Sequence, residues 1–523
     1  MADVLGVFPE GFHLFSLSSI ALALALFLTF VTTSLLWTVI YNLYFSPYKH
    51  IPGPFWARAT QIPFALLQRN GQLIPWLHAA HLKYGEVVRV APHEISFISG
   101  ETAWQDIYGF RTGKNKTPPY LKDMRLTPAP PNGTISIFGA DEPTHARYRR
   151  NMSNAFSDKA LREQEPLLQA MIDFLAERLH EQVNEGNEVV DFTRWLNYTT
   201  FDIATDLIYG EPLYCLRDKD YHPWVSMVSL AVKSNALIAA KNRFPTFRYI
   251  ENIKKLFVSN ASLDSKREEF FAIISAKVSK RIAQGTTARP DFMSHILKNM
   301  NNETTDSNNI KGLTKAEIDS NANLLMVAGS ETMATQLCGF TYLILTNEGV
   351  YGKLVKEIRG RFKKQSEITT EEVAKMEYLV ACLTEGLRMY PPVPTGFARV
   401  VPKGGDTISG YYLPGGASVY MSQYPANHSP RNFKDPDVFV PERWLGDSRY
   451  AGDNRACFNP FSFGPRNCLG KNLAYAEMRL MIAKILFNFD LELQDEARNW
   501  LVGQKLYTLW VKPDLMVRLK PVQ

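Results

Sequence analysis

Apolar positions are densest at the amino end, where no Asp, Glu, Lys or Arg occurs between Glu10 and Lys49. The stretch Leu14 to Phe45 is apolar on every face, and a bilayer takes about 20 such residues to cross. The pattern predicts a transmembrane helix. A cleaved signal peptide would carry an apolar core of only about 7–15 residues behind a basic flank, whereas Asp3 and Glu10 are acidic here. Lys49 and Arg58 follow the span, which places the main body on the cytosolic side. His50-Ile51-Pro52-Gly53-Pro54 cannot continue a helix and reads as a stiff hinge. Three regions result: an anchor over 1–48, a proline-rich hinge over 49–60 and a catalytic body over 61–523.

Two further stretches have helical periodicity. Thr314 and Glu317 have capping-box spacing at the head of a long helix that runs to Asn347. It passes through the apolar run Leu324-Leu325-Met326-Val327 into Ala328-Gly329-Ser330-Glu331-Thr332. From Asn472 to Phe489, Leu473, Ala476, Leu480 and Ala483 fall near one helical face.

Composition narrows the class. The 523 residues are 46% hydrophobic and show no repeat, Gly/Ser linker or low-complexity run, which favours one large body. The net charge of +6 is mild and its basic residues are scattered, so a nucleic-acid partner is not expected. The five cysteines are odd in number and lack C-x-x-C spacing, which argues against a disulfide framework or zinc site and for a reducing compartment. The sequons at Asn132 and Asn197 would matter only on a lumenal domain.

Candidate chemistry concentrates in Phe461-Ser462-Phe463-Gly464-Pro465-Arg466-Asn467-Cys468-Leu469-Gly470. Gly464 and Gly470 remove side chains where backbone would approach a flat ligand, and Pro465 stiffens the loop. Cys468 sits just before a helix N-terminus, whose free N–H groups favour a thiolate. A thiolate in an apolar loop is a good axial ligand for haem iron. A lone cysteine at such a place is ordinarily a small buried residue; the full F-x-x-G-x-R-x-C-x-G spacing changes that. It resembles the haem-binding signature of the cytochrome P-450 superfamily at all five defining positions.

Read with that loop, Ala328 to Thr332 resembles the family's A-G-x-[DE]-T oxygen-activation motif. Gly329 leaves room for a diatomic ligand, and Glu331 and Thr332 take the acid and alcohol positions of a proton relay. Glu385 and Arg388, at helical i,i+3 spacing, resemble the family's E-x-x-R pair, and Pro441-Glu442-Arg443-Trp444 its P-E-R-F/W element. The resemblance makes Glu385, Arg388 and Arg443 a buried structural cluster. For the haem propionates it implies Arg149, Arg399 and Arg466, with His145 where the family usually has Trp.

The implied fold is mainly α with a smaller β-rich lobe and the haem between two helices. The implied activity is insertion of one atom of O2 into a lipophilic small molecule, on haem b (iron protoporphyrin IX). Only residues 469–523 follow Cys468, too few for a flavin domain. Electrons from NADPH are therefore expected through a separate partner, the membrane-bound NADPH-cytochrome P-450 reductase, docked on basic residues near the loop. The expected location is the endoplasmic reticulum membrane, single-pass. Tyr41-Asn42-Leu43-Tyr44-Phe45, Gly404 to Gly410 and Ala426-Asn427-His428-Ser429-Pro430 resemble fungal members of secondary metabolism, such as trichothecene- and aflatoxin-pathway hydroxylases. Substrate contacts are expected from about 101–135, 205–260, Leu325 and Ala328, Val393 to Phe397, and Tyr507-Thr508-Leu509; the largely apolar side chains favour a lipophilic ligand. The alternatives are an O2-independent isomerase or dehydratase on the same cofactor and a non-catalytic haem sensor. Enzymes of the first kind typically lose the acid–alcohol pair or alter the cysteine loop, and both are intact here; in a sensor an intact Glu331–Thr332 pair would have no obvious purpose. A membrane-anchored transferase is disfavoured by the lack of a G-x-x-x-x-G-K-[ST] loop.

Overall fold

In a computed structural model of the chain, residues 17–111, 118–126, 131–244, 261–285, 289–300 and 312–522 are described. Leu14 to Ser16 of the expected span lie outside these residues, as do parts of the expected substrate-contact stretches (112–117, 127–130 and 245–260).

The architecture is mainly helical with small sheets. The amino-terminal helix Leu17–Ile40 continues as a π-helical turn, Tyr41–Phe45; the helix is apolar and largely exposed from Ile20 to Tyr41, whereas Asn42 and Leu43 are buried. In the body, the central helix Lys315–Leu345 is the longest. Its predicted capping box is present, with the Glu317 N–H donating to the Thr314 hydroxyl and the Thr314 N–H to the Glu317 carboxylate. It packs along the helix Phe192–Tyr209, in which every residue but Arg194 is buried. Such a helix can hold threonines because their hydroxyls find carbonyls: Thr199 back-bonds to the Trp195 carbonyl and Thr205 to that of Phe201, while Thr193 donates to the Pro513 carbonyl. The helix Lys471–Asn488 follows the cysteine loop and buries Ala476, Leu480 and Ala483 against the same core, while Leu473 is half-buried.

The largest sheet has five strands, in the spatial order Val87–Ala91, Glu94–Phe97, Ser418–Met421, Arg399–Val400 and Leu121–Lys122. Only the contact between Glu94–Phe97 and Ser418–Met421 is parallel. The register at its far edge sets Lys122 opposite Arg399, and this pairing of two distant segments builds one wall of the candidate site. Among the described residues, a three-stranded sheet (Val189–Asp191, Met516–Pro521, Phe489–Leu493) and two hairpins complete the β structure.

Candidate functional site

The cysteine loop turns through a 3-10 segment at Gly464–Arg466, and the Cys468 N–H donates back to the Phe461 carbonyl at 2.9 Å. Phe461 is half-buried, its ring 5.0 Å from that of Tyr475. Gly464 has φ +74°, and a Cβ there would overlap the carbonyl oxygen of Tyr108. Gly470 differs. The nearest protein atom to its missing Cβ is in the Phe156 ring, at 3.8 Å. Gly464→Ala is therefore expected to cost on the order of 1–3 kcal/mol, whereas Gly470→Ala should cost under about 1 kcal/mol. Thermal unfolding of the two variants checks the contrast.

Of the five cysteines, Cys468 alone is exposed. Protein nonetheless surrounds it closely enough that burial raises its thiol pKa, against the lowering effect of the Gly470 N–H, Arg149 and Lys471. The sulfur thus opens onto an interior space. The helix N-terminus expected to favour the thiolate does act in that direction, through the Gly470 N–H, but in the protein alone desolvation outweighs it.

Cations gather beside this loop. Arg149 donates to the Asn467 carbonyl at 2.7 Å and to its side-chain oxygen at 2.6 Å, bracing the residue before Cys468. Arg466 donates to the Ala140 carbonyl at 2.8 Å and to Glu142 at 2.9 Å. Arg399 is buried; it donates to the Tyr120 carbonyl, and its Nε has no partner among the described residues. Burial and the nearby Arg466 push its pKa down to about 10. His145 is buried on the helix Glu142–Met152, and burial with the charge of Arg466 lowers its pKa to about 4.

Sequence reasoning missed Lys122. Its ammonium sits 3.3 Å from the Phe138 ring centroid, and burial with the charges of Arg399 and Arg466 pulls its pKa well down. No motif marks Tyr120-Leu121-Lys122; only the strand register with Arg399 reveals it. Among the described residues, Glu142 is the one carboxylate bonded to this group of cations. A buried cation group so poorly balanced fits the two propionates of a haem, with the Cys468 sulfur as the soft donor for its iron.

On the central helix, Ala328 and Gly329 are exposed at mid-length, and a Cβ on Gly329 would meet only Ala204, at 3.6 Å. The Thr332 hydroxyl donates to the Ala328 carbonyl at 2.6 Å, a back-bond within the helix. Glu331 is buried, and its carboxylate pairs with Lys512 at 2.7 Å; Lys512 also donates to the Thr335 hydroxyl. The acid of the expected relay thus has a fixed cation that its own helix does not reveal.

The third group centres on Glu385. Glu385 accepts from Arg388 at 2.9 and 2.8 Å, from Arg443 at 3.0 Å, from the Trp444 indole at 2.9 Å and from the Val440 N–H. The three charged side chains are fully buried.

Residues 53–517 match the family model for cytochrome P450. Among characterised sequences the chain is 49% identical to cytochrome P450 monooxygenase lcsI of Purpureocillium lilacinum, over 92% of this chain and 91% of that one. It is 46% identical to cytochrome P450 monooxygenase traB of Penicillium crustosum (92% and 94%) and 42% identical to cytochrome P450 monooxygenase efuB of Hormonema carpetanum (92% and 93%).

Proposed function

The chain belongs to the cytochrome P450 family, and on that premise we propose that it is a membrane-anchored monooxygenase that oxygenates a lipophilic small molecule in a fungal secondary-metabolite pathway. The family brings haem, O2, a small-molecule substrate and a redox partner. The finer reading is haem b, with NADPH electrons delivered by a separate reductase at the endoplasmic reticulum membrane. The domain division carried into this reading is an anchor over 1–48, a hinge over 49–60 and a catalytic body over 61–523. The observation that carries it is the pairing of a deep but accessible Cys468 with the buried, poorly balanced cations around Arg399.

When bound, the haem supplies reductive activation of O2. Cys468 would hold its iron; Arg399, Arg466 and Lys122 would hold its propionates, with His145 beside them. Arg149 acts one step back, fixing the loop through Asn467. Thr332 and Glu331 would move protons to the oxygen side. The Thr332 hydroxyl keeps its proton donated to Ala328 and can rotate to a new acceptor, and Glu331 is a buried carboxylate one helix position away. Gly329 keeps that face of the helix low. The apolar run beside it excludes water, which limits loss of activated oxygen.

Incubation of the full chain with a reductase, NADPH and 18O2 tests this reading. Product is expected to gain one 18O atom per oxidation. In Thr332→Ala, NADPH use is expected to continue while product per NADPH falls by about 10-fold or more and hydrogen peroxide rises in its place, since general acid–base groups contribute about 10²–10⁴-fold. Product formation at unchanged yield in the variant would remove Thr332 from the relay. Product without 18O would point to the O2-independent alternative.

A further inference from the structure

The acid of the relay is held from outside its own helix. Lys512 follows the short strand Trp510–Val511, and its ammonium donates to the Glu331 carboxylate at 2.7 Å and to the Thr335 hydroxyl at 2.9 Å. Glu331 and Thr335 share one face of the central helix at i,i+4 spacing, so the lysine straddles a single turn. Its side chain is 5% exposed and that of Glu331 9%. Both charges have left water, and each neutralises the other. Cys338 also faces the pair from the central helix, and burial pushes its thiol up to about 12, so it stays uncharged beside them.

A lysine ordinarily keeps its charge in water at the end of a flexible stem. Here the backbone is fixed on both sides of it. The Trp510 indole donates to the Pro391 carbonyl at 2.9 Å. The Pro513 carbonyl accepts from the Thr193 hydroxyl and the Trp500 indole, each at 3.0 Å. The Leu515 N–H donates to Asp191 at 3.0 Å, and its carbonyl accepts from the Phe192 N–H at 2.8 Å. The ammonium therefore reaches Glu331 from a fixed point. A contact that only fastened the carboxyl-terminal segment could be apolar, because desolvating two charges offsets most of their attraction. This pair instead stands beside Thr332, on the turn after the exposed Ala328 and Gly329. Lys512 bonds one carboxylate oxygen, Oε2, while Oε1 has no protein partner among the described residues. One end of the carboxylate is anchored and the other is free to exchange a proton.

We propose that Lys512 is a positioning residue for oxygen activation, which holds Glu331 by Oε2 and balances the charge left on it each time Oε1 gives up a proton. The proposal rests on reading Glu331 as the acid of the relay. In each cycle the Oε1–H bond breaks, the proton passes to the oxygen side, and Oε1 is reprotonated from water. Without the ammonium, a buried carboxylate has no cation and neutralises by keeping its proton. Donation would then leave an unpaired buried charge, so each proton is handed on less readily.

Lys512→Gln removes the charge and keeps a hydrogen-bond donor. The infrared spectrum of the haem-loaded, substrate-free protein at neutral pH reads the first consequence. The variant is expected to show a protonated-carboxyl stretch that wild type lacks, and adding Glu331→Gln should abolish it. Glu477, whose pKa burial pushes up to about 8, contributes equally to every variant and cancels in the difference. Turnover with reductase and NADPH reads the second. Product per NADPH should fall several-fold in Lys512→Gln, with hydrogen peroxide in its place. Adding Lys512→Gln to Glu331→Gln should lower it no further, since both act through one carboxylate. A merely structural contact would shift the thermal midpoint and give neither the band nor the non-additivity. Lys512→Met serves the same comparison if the glutamine variant does not fold. Absence of the band in folded variants would overturn the proposal, as would the band with unchanged product per NADPH, or losses that add in full. Unchanged product per NADPH in Glu331→Gln itself would overturn the relay reading of Glu331, a failure that the band reports separately from the hold of Lys512.

Discussion

Cys468→Ala is expected to remove the strongly red-shifted Soret band of the reduced, CO-bound protein and to abolish oxygen insertion. Alanine has no donor for iron, and the chain has no substitute. Cys215, Cys338, Cys382 and Cys457 are all buried. Burial raises the thiol pKa of Cys215, Cys338 and Cys457 to about 12 and that of Cys382 well above its ordinary value. Each is enclosed in the packed interior, where burial disfavours a thiolate. Turnover should fall by about 10³-fold or more, a small part of the acceleration enzymes achieve. Fold stability should change little, because the Cys468 side chain is exposed and outside the apolar core. The difference spectrum of the purified variant, beside its thermal midpoint, checks both statements. A retained red-shifted band would take the ligand role away from Cys468. Loss of the band together with collapse of the fold would mean that the residue acts through packing.

Glu385→Ala is expected to give the largest loss of stability of any single charge removal in the body. It would strand Arg388 and Arg443, both fully buried, together with the Trp444 and Val440 N–H groups that now donate to the carboxylate. Breaking a buried pair from one side costs about 3–5 kcal/mol, a large part of the roughly 5–15 kcal/mol that holds a typical domain folded. Arg388 and Arg443 retain other acceptors, since Arg388 reaches the carbonyls of Asn427, Pro436 and Val438, and Arg443 reaches Asp453. The loss should therefore be a large drop in thermal midpoint, with the helix Glu377–Met389 losing its hold on the segment around Arg443. Glu385→Gln, which keeps one acceptor oxygen, should lose less.

The same cluster sets a pH dependence. Burial alone would raise the Glu385 pKa, but the hydrogen bonds and charges of Arg388, with Arg443, hold it below its ordinary value. A carboxylate with a lowered pKa in the folded state stabilises fully above its unfolded pKa of about 4.3. That contribution is lost as pH falls through the lower folded value. Acid titration of the thermal midpoint should show this loss in the wild-type protein and a smaller one in Glu385→Gln. Equal slopes in the two would mean that the cluster does not contribute by charge.

Some features were legible because they depend on neighbours along the chain. The apolar span, the capping box at Thr314 and Glu317, the helix after the cysteine loop and the i,i+3 spacing of Glu385 and Arg388 are each set by local periodicity. Family membership was legible for a related reason. Its motifs are short runs whose spacing does not need the fold to be read, and the match over residues 53–517 agrees with them. The mainly helical architecture with small sheets followed from that membership.

Other features required the fold. Lys122 and Arg399 become neighbours only through the pairing of two short strands, and Lys512 reaches Glu331 only because the carboxyl-terminal segment packs on the central helix. The hydrogen bond between Arg89 and the carbonyl of Asn42 gave no sign in a sequence that suggested only a proline hinge. The opposition between burial and the Gly470 N–H at Cys468 is also three-dimensional, since desolvation depends on atoms brought in from many segments. The sequence by itself therefore determined the apolar amino-terminal helix, the main helices and the chemical class, all written in spacing along one strand of chain. The tertiary structure alone decided which charges distant in sequence meet, because the energy of a buried charge depends on distance through space, and residues far apart in sequence acquire such distances only when the chain packs.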